Sequence, residues 1–331
     1  NCVGVKSLHI PAAISSIGMY GIFGCTALTS ITADNGPTYK AINNCLIDIV
    51  SQTIILACKN SMIPNDPSVT ALDATAFYGC SGLKSITIPG NIKVIPENAF
   101  SECTSLTSIV FEDGVEEIDI RAFQNCTSLT SVTFGDTITT INGYAFEGCP
   151  ISEVYIPKSV TTLNESFIPK KNNVNITIDA DNPAYYVNGN CIIEKSTKTV
   201  IAGYPNSVIP NDGSVVAIGA HAFSSSTVTA INIPSTVQSI GTYAFYSCNG
   251  LKNVVLPQGI TVLESCVFNR CEFLESVTIP ASVTEIKSGA FSVCPSLTDI
   301  HFEGTKAQWN AITRANNWNK ESAPVVIHCS D

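Results

Sequence analysis

The sequence has little charge and few basic residues. Only 13% of its 331 residues are charged, and 27 acidic residues against 17 basic ones give a net charge of −10. With so few Lys and Arg, no extended basic surface is expected, which makes nucleic acid and anionic membranes poor partners. Hydrophobic residues still make up 45% of the chain. That share can bury a large core, and together with the low charge it argues against a disordered protein.

Long apolar runs are also missing. The mean hydropathy of +0.24 is positive, but Pro, Asn, Ser, Thr or Gly interrupts every apolar stretch well before the ~20 residues that a membrane span requires. We therefore expect no membrane insertion by this segment. No signal peptide is recognisable at Asn1, so any export signal or anchor is expected to lie outside this chain.

Motifs for catalysis and metal binding are absent from the sequence. There is no nucleophile elbow, phosphate-binding loop or metalloprotease motif. No Cys-x-x-Cys pair occurs, which argues against a zinc site. The histidines are scattered at His9, His221, His301 and His328. The sequence therefore predicts no enzyme activity, no cofactor and no bound metal.

What the sequence contains instead is one phrase with a period of 23 residues. Its consensus, as in Ile88–Ile109, is I-P-x-x-V-x-x-I-x-x-x-A-F-x-x-C-x-x-L-x-x-I. The Ala-Phe step falls at residues 76–77, 99–100, 122–123, 145–146, 222–223, 244–245 and 290–291, with variants at 22–23 and 267–268. One coil of this length cannot bury its own apolar face, so the coils must stack into a solenoid. The period lies within the range of leucine-rich repeats.

Nine cysteines follow the same period and occupy one position of the repeat, where Ser226 substitutes in one coil. They are Cys2, Cys25, Cys80, Cys103, Cys126, Cys149, Cys248, Cys271 and Cys294. Neighbours in such a ladder would lie about 5 Å apart with parallel Cβ vectors, which does not suit a disulfide. Because a buried thiol behaves as a small hydrophobe, we predict a ladder of free, buried, structural cysteines.

The other five cysteines are Cys45, Cys58, Cys191, Cys266 and Cys329. Cys45 and Cys191 occupy the same place in two similar units and are predicted to be core residues. A Cys45–Cys58 disulfide remains possible in the first of these units only, because Tyr204 replaces the second cysteine in the other unit. Cys266 is the best candidate for a partly exposed, reactive thiol.

Each short coil contains one strand with alternating apolar positions. In Leu83–Ile88 the side chains of Ile86 and Ile88 are predicted to point inward, and the polar residues between them outward. Pro89 has no N–H for the ladder and ends the strand. Residues 34–66 and 181–212 differ, because each has two apolar runs around a turn, and each is predicted to be a coil that contains a β-hairpin.

These two longer units divide the chain into tandem copies of about six coils, roughly residues 14–156 and 160–302. The solenoid is therefore predicted to span residues 1–302. Beyond it the repeat stops, and both tryptophans, Trp309 and Trp318, lie in this last segment. Because a terminal repeat must cover the exposed end of the core, residues 303–331 are predicted to form a C-terminal cap.

The outward strand positions define a candidate binding surface. A solenoid presents them as one continuous face, here rich in Ser and Thr, with Tyr155 as its large aromatic residue. The residues predicted to contact a partner are Ser85, Thr87, Ser108, Val110, Ser131, Thr133, Glu153, Tyr155, Asn232, Asn253, Ser276, Thr278, Asp299 and His301. The alternative is a set of ordinary solvated strand positions. Asp299 and His301, with Ser276 one coil back, form a triad by residue type only, and the sequence favours a polar surface there.

These motifs resemble the BspA-like leucine-rich repeat family of microbial surface proteins. The resemblance rests on the Ile-Pro, Ala-Phe and Cys-x-x-Leu steps, and on a hairpin-like unit with Asn188-Gly189, for which the first copy has two asparagines. The segment from Gly304 to Cys329 is similar to the end of many family members. The resemblance implies a β-rich leucine-rich-repeat solenoid, a right-handed superhelix with short strands on the concave face and two hairpin-containing coils.

The resemblance also implies a secreted or cell-surface protein that binds other macromolecules and performs no catalysis, with adhesion to host or microbial surfaces as the expected role. A flat face rich in hydroxyls suits a glycoprotein or an extended polypeptide better than a small molecule, which needs a pocket. Extracellular-matrix proteins, mucins or other cell-surface molecules are the expected partners. Because the chain begins within a repeat, the alternative is a structural spacer that displays another domain of a larger surface protein.

Overall fold

The repeat folds into short strands in a computed structural model that describes residues 4–18, 26–164, 166–170 and 173–331. The chain forms two units. Unit 1 comprises Asn1–Pro169 and Thr177–Asn182, and unit 2 comprises Lys170–Ile176 and Pro183–Asp331.

The strands of unit 1 are β1 (Ser7–Ile10), β2 (Ser30–Ala33), β3 (Tyr39–Ile42), β4 (Cys45–Asp48), β5 (Thr53–Leu56), β6 (Ala71–Leu72), β7 (Ser85–Ile88), β8 (Val94–Ile95), β9 (Ser108–Phe111), β10 (Glu117–Ile118), β11 (Ser131–Thr133), β12 (Thr140–Ile141), β13 (Glu153–Ile156) and β14 (Thr162–Leu163). Strand β15 (Asn175–Ile178) crosses the division between the units. The elements of unit 2 are β16 (Tyr185–Asn188), β17 (Cys191–Glu194), β18 (Thr199–Gly203), β19 (Ala217–Ile218), β20 (Ser239–Ile240), β21 (Asn253–Val255), β22 (Val262–Leu263), β23 (Ser276–Ile279), β24 (Glu285–Ile286), β25 (Asp299–Phe302), α1 (Lys306–Ala311), β26 (Thr313–Arg314) and β27 (Val326–His328).

Successive coils add strands to two parallel sheets in each unit. In unit 1 the longer strands form the sheet β7–β9–β11, and the two-residue strands form the sheet β8–β10–β12–β14. The corresponding sheets of unit 2 are β21–β23–β25–β27 and β22–β24–β26. The register advances by one repeat at each step, so that Ser85 lies opposite Ser108, and Ser108 opposite Ser131. The predicted β-solenoid is confirmed.

Alternation along the longer strands separates core from surface. In β7 the side chains of Ile86 and Ile88 are 4% and 0% exposed, whereas Ser85 and Thr87 between them are exposed. Successive side chains of a strand point to opposite faces, and burying one isoleucine stabilises the fold by about 1.5–3 kcal/mol. The inward and outward positions predicted for this strand are confirmed.

A stack of phenylalanine rings from the Ala-Phe steps fills the core of each unit. Neighbouring ring centroids lie 4.5, 5.0 and 5.3 Å apart in unit 1. In unit 2 the distances are 5.2, 5.3 and 5.6 Å. The rings are those of Phe77, Phe100, Phe123, Phe146, Phe223, Phe245, Phe268 and Phe291, all fully buried. Each stacked pair adds about 0.5–1.5 kcal/mol to the effect of burial alone.

The cysteine ladder lies beside this stack and uses its thiols as donors. The Sγ of Cys103 donates to the carbonyl of Phe77 at 3.1 Å, and the Sγ of Cys126 donates to that of Phe100 at 3.2 Å. The same bond, at 3.0–3.2 Å, ties four more thiols to the preceding coil, those of Cys149, Cys248, Cys271 and Cys294. The ladder therefore links coils by hydrogen bonds as well as by packing.

No described cysteine forms a disulfide, Cys45 and Cys58 included, so the bridge that the sequence left possible is not present. Ladder positions Cys2 and Cys25 lie outside the described residues. Burial raises the pKa of Cys80 to about 12, so its thiol stays protonated and able to donate at physiological pH.

Two residues of each regular coil adopt the left-handed backbone conformation around the Ala-Phe step. In consecutive coils they are Asn98 and Glu102, with φ of 59° and 63°, and then Arg121 and Asn125, with φ of 55° and 59°. Their N–H groups donate to carbonyls of the following coil, as Glu102 does to Gln124 at 2.8 Å. These bonds between coils offset the strain of the left-handed conformation.

Antiparallel strands form in both longer units, which confirms the two hairpin-containing coils. Strands β3, β4 and β5 pair antiparallel, as do β16, β17 and β18. The first hairpin turns at Asn43 and Asn44 (φ 51° and 60°), and the second at Gly189 and Asn190 (φ 58° and 55°). Two positive φ values are what a tight two-residue hairpin requires, and Asn and Gly adopt them most readily.

One strand is missing from its expected place. Residues 228–234 form no strand, so Asn232 is exposed but lies outside any sheet. In the coil of Cys103 the turn before the strand closes through main-chain atoms. Here the N–H of Val228 is bonded to the hydroxyl of Ser226 at 3.3 Å, and the coil is one residue shorter. With Ser in the place of Cys, this turn closes through a side chain, and no strand follows it.

The last segment continues both sheets of unit 2. Strand β26 pairs with β24, and β27 pairs with β25. Helix α1 begins with a capping box between Thr305 and Gln308, and its Trp309 packs edge-on against Phe302 with 5.4 Å between ring centroids. Trp318 packs edge-on against the last ring of the stack, Phe291. This packing supports our proposal that residues 303–331 cap the solenoid.

Val293 occupies the second left-handed position of its coil, at φ 58°. A β-branched residue there is strained, so Val293→Gly is expected to raise the free energy of unfolding by about 1 kcal/mol. Gly79→Val is the matched control: φ is 67°, and an added Cβ would meet only Thr26 Cγ2 at 3.9 Å, so it should lower stability through strain alone. Urea denaturation followed by circular dichroism measures both, and an unchanged midpoint for Val293→Gly would contradict the expectation.

The thiols should differ sharply in their reaction with iodoacetamide. Cys266 and Cys329 are half-buried, whereas the other described cysteines are buried. Among the described cysteines, brief treatment of the native protein at pH 8 is expected to label these two first, because the thiolate must be reached by the reagent. Peptide mapping by mass spectrometry resolves each site, and treatment in urea should label all of them. Native labelling of Cys103 as fast as that of Cys266 would show that the ladder is open.

Candidate functional site

The outward residues of the longer strands form a surface on each unit, which we call the strand face. On unit 1 it is built from β7, β9, β11 and β13. Two rows of aligned residues cross the first three strands, one of Ser85, Ser108 and Ser131 and the other of Thr87, Val110 and Thr133. All six side chains are exposed or half-buried. Because parallel strands lie about 4.8 Å apart, the serine hydroxyls form a regular row.

Strand β13 contributes the exposed residues Glu153 and Tyr155. Tyr155 is 50% exposed, and its hydroxyl donates to Asp179 Oδ2 at 2.5 Å. This hydrogen bond is the main reason why the pKa of Tyr155 is raised and that of Asp179 is lowered. The bond holds the ring in one orientation and offers a pre-positioned aromatic surface.

The strand face of unit 2 is built from β21, β23, β25 and β27. Its first row contains Asn253, Ser276, Asp299 and Val326, and its second row contains Val255, Thr278, His301 and His328. All are exposed or half-buried, and the two valines of the rows, Val255 and Val326, are 62% and 55% exposed. This face is more apolar and more aromatic than that of unit 1.

A carboxylate and two imidazoles meet at the end of this face. The Nε2 of His328 lies 2.8 Å from Asp299 Oδ1, and the rings of His301 and His328 stack with 4.8 Å between centroids. The hydroxyl of Thr298 donates to Asp299 Oδ2 at 2.7 Å. The Thr298 hydrogen bond, and after it the His328 hydrogen bond, lower the pKa of the Asp299 carboxyl.

Ser276, His301 and Asp299 do not form a hydrogen-bonded catalytic triad. The hydrogen-bond partners of Asp299 are Thr298 and His328 rather than His301. The hydroxyl of Ser276 donates to Asn253 Oδ1 at 2.7 Å. No nucleophile is therefore hydrogen-bonded to a base here, and the arrangement is that of a polar surface.

The predicted site residues fall into two groups. Those from Ser85 to Tyr155 lie on the strand face of unit 1, and those from Asn253 to His301 lie on the strand face of unit 2. Asn232 belongs to neither strand face, because the stretch around it forms no strand.

Sequence reasoning missed the outward residues of the first hairpin coil. The Ile-Pro step of this coil, at residues 63–64, aligns with the step that ends β7. By this alignment Asn60 and Met62 correspond to Ser85 and Thr87, and Met62 is 64% exposed, although residues 57–66 form no strand. The Ile-Pro step was the available signal, but the hairpin obscured the repeat that contains it.

The outward residues of the last strand were missed as well. Val326 and His328 lie opposite Asp299 and His301. The sequence contains a signal for this strand, because its Val-Ile-His repeats the Asp-Ile-His of β25. The rest of the repeat consensus is absent from the segment, so the signal was overlooked.

Cys266, the candidate reactive thiol, lies in a turn away from both rows. Its Sγ is 3.8 Å from the carbonyl of Ser288 and 3.9 Å from Asn269 Nδ2. A hydrogen bond with this thiol is the main cause of the raised pKa of Tyr243. Across residues 4–18, 26–164, 166–170 and 173–331, no group of three His, Cys, Asp or Glu side chains could hold a metal ion. In that same part of the chain, no helix is long and apolar enough to cross a membrane.

The repeat is matched by the family model of the BspA type leucine rich repeat region. Six copies cover residues 1–56, 55–175 and 206–316. No curated protein matches the chain.

Solved structures share the fold. A leucine rich cell surface protein from Faecalibacterium prausnitzii A2-165 is 28% identical, with a TM-score of 0.60 over 93% of this chain and 82% of that protein. The pneumococcal vaccine antigen PcpA is 16% identical, with a TM-score of 0.57 over 89% and 88% of the two chains. A leucine-rich repeat protein from Bacteroides ovatus ATCC 8483 is 22% identical, with a TM-score of 0.53 over 80% and 69%.

The hydrogen bonds to Asp299 should be visible in its titration. Thr298→Val removes the hydrogen bond that lowers the Asp299 pKa most. It is expected to raise this pKa toward the ordinary value of about 3.9, and His328→Ala should raise it less. Because the folded-state pKa is lowered, the associated stabilisation is present above the ordinary pKa and is lost as the pH falls through the lowered value. Carboxyl ¹³C NMR measures the midpoint. Thr284→Val is the control, and an unchanged Asp299 midpoint in both test variants would contradict the geometry.

Proposed function

Because the chain belongs to the BspA-type leucine-rich repeat family of bacterial surface proteins, we propose that it is a non-catalytic recognition protein, secreted or held at the cell surface. Its partners are proteins or glycoproteins, such as extracellular-matrix proteins, mucins or other surface molecules, and its role is adhesion. The 28% identity to a leucine rich cell surface protein supports this location.

The observation that carries the proposal is the alignment of exposed side chains in rows on each strand face. On unit 1, Ser85, Ser108 and Ser131 repeat one hydroxyl at each coil. A surface of repeated, short polar groups matches a partner that is itself extended, because each coil adds one similar contact. Weak contacts of this kind gain strength by number rather than by a single deep pocket.

Large residues at the ends of the rows would provide the anchors. Tyr155 on unit 1 is held by Asp179, and the stacked His301 and His328 lie on unit 2 beside the exposed Val326. A few residues, most often Trp, Tyr and Arg, carry most of the binding energy at protein interfaces, while short polar neighbours contribute mainly complementarity.

A structural spacer within a larger surface protein is the second candidate. It is favoured by the shortage of large side chains on the unit 1 face, where the rows across β7, β9 and β11 consist of Ser, Thr and Val. Such a face resembles ordinary solvated strand positions as much as a binding site.

The two candidates differ in direct binding. The purified chain is tested against a panel of extracellular-matrix proteins and mucins by biolayer interferometry at two salt concentrations. Saturable binding is expected, and the triple variant Ser85/Ser108/Ser131→Arg should weaken it at least tenfold, because three long cations would block the serine row.

A matched control carries the same charge change on the other sheet of unit 1. Val94, Thr139 and Thr162 are exposed residues in or beside the two-residue strands, and changing all three to Arg should leave binding unchanged. Loss in both triple variants would indicate a charge effect rather than a site. Absence of binding by the unaltered chain would favour the spacer.

A further inference from the structure

An open cleft of about 440 Å³ lies where the first hairpin coil meets the coil of β7. It is lined by Lys59, Asn60, Ser61, Met62, Gly82, Leu83, Lys84 and Ser85. Alignment of the Ile-Pro steps puts Lys59 and Lys84 at the same position of consecutive coils, immediately before the serine row. Two ammonium groups therefore flank one end of the strand face of unit 1.

The position of Lys59 is set by a glycine of the next coil. A Cβ at Gly82 would lie 2.7 Å from the Cδ and 2.9 Å from the Cβ of Lys59, so the stem of the lysine rests on the glycine backbone. The following two coils have Ser105 and Ser128 at the place of Gly82. The glycine makes room for the apolar stem, and the charged end extends to solvent.

Neither lysine is neutralised. Among the described residues no carboxylate lies within ion-pair distance of Lys59 or Lys84. Lys252 occupies the place of Lys84 in unit 2, and there the next coil provides Glu275 at 3.5 Å. In unit 1 the next coil has Thr107 at this place. In a chain of net charge −10, two adjacent unpaired cations form an isolated positive site.

The second hairpin coil shows that the fold does not require these lysines. Pro205 stands where Lys59 would be, and Thr229 where Lys84 would be. The turn is nevertheless the same: Ser61 and Ser207 each accept from a backbone N–H at 2.8 Å and donate to a backbone carbonyl at 2.6 Å. The lysine pair is thus an addition to a structure that forms without it.

We propose that this cleft binds the anionic group of an acidic glycan, a carboxylate or a sulfate carried on a sugar. Lysine ammonium groups are point charges that bind either anion without a fixed geometry. Asn60 Nδ2 donates to the carbonyl of Thr29 at 3.0 Å, which leaves its Oδ1 as an acceptor, and Ser85 adds a hydroxyl; both suit sugar hydroxyls. A volume near 440 Å³ accommodates a small ligand, whereas an extended acidic peptide would need a longer groove.

This inference rests on the proposed function, because it names the ligand class of a site at the edge of the same strand face. It adds a charged contact to a face that otherwise offers neutral ones. Attraction between exposed charges is screened by salt over about 8 Å at physiological ionic strength, so the binding should weaken as salt is raised.

The test uses the full chain and four probes in isothermal titration calorimetry at low and physiological salt. 3′-Sialyllactose carries a carboxylate, 3′-sulfated lactose carries a sulfate, lactose is the neutral control, and poly-L-glutamate represents an acidic polypeptide. We expect one or both acidic sugars to bind and lactose not to bind. The two acidic sugars distinguish the carboxylate from the sulfate.

Variants locate the site. Lys59→Ala/Lys84→Ala should weaken binding of the acidic sugar at least tenfold, and each single variant should weaken it less. Lys306→Ala removes an exposed lysine in another part of the chain and should have no effect. Circular dichroism and thermal unfolding check that each variant is folded. We expect them to fold, because the second hairpin coil has Pro205 and Thr229 in place of the two lysines.

Several outcomes would overturn the inference: no binding of either acidic sugar, equal binding of lactose, binding unchanged in the double lysine variant, or tighter binding of poly-L-glutamate. If the sugars fail while matrix proteins still bind through the serine row, only the ligand class is wrong. If neither the sugars nor any protein bind, the recognition function itself is overturned.

Discussion

Each coil of this protein is completed by its neighbour, because the groups of the core are shared between coils. The carbonyl of Phe100 accepts the N–H of Cys103 in its own coil at 3.3 Å and the thiol of Cys126 in the next coil at 3.2 Å. The ring of Phe100 stacks on the next ring at the same step. A single coil would leave the ring face uncovered and the carbonyl short of a donor. Stability therefore accumulates through contacts between neighbouring coils.

The register imposed by this core also determines the surface. A slip by one residue would expose Ile86 and bury Ser85, so the pairing of the longer strands is strongly specified. Outward residues consequently meet their counterparts one coil away, in rows. The rows are free to vary, since their side chains take no part in the core: unit 1 has serine hydroxyls, whereas unit 2 ends in the contact between Asp299 and His328.

The irregular coils are where this surface departs from simple repetition. The first hairpin coil keeps the Ile-Pro step of the repeat, yet its Lys59 lines the same cleft as Lys84. Two like charges at adjacent positions repel each other, and solvent keeps that cost small while both are exposed. A bound anion would replace the repulsion by two attractions. A regular solenoid offers the same contact at every coil, and an interruption of this kind gives one position a chemistry of its own.

The sequence by itself determined the period, the stacking of Ala-Phe and Cys positions, the inward and outward residues of strands such as β7, and both hairpins. These features follow from spacing alone, because backbone hydrogen bonds between parallel coils bring each residue against its counterpart in the next repeat. Only the tertiary structure decided that Asp299 bonds to His328 rather than His301, and that the stretch around Asn232 forms no strand. The reason is that side-chain partners depend on rotamers and on local closure of each turn, as with the Ser226 hydroxyl. A one-dimensional repeat does not encode either of them.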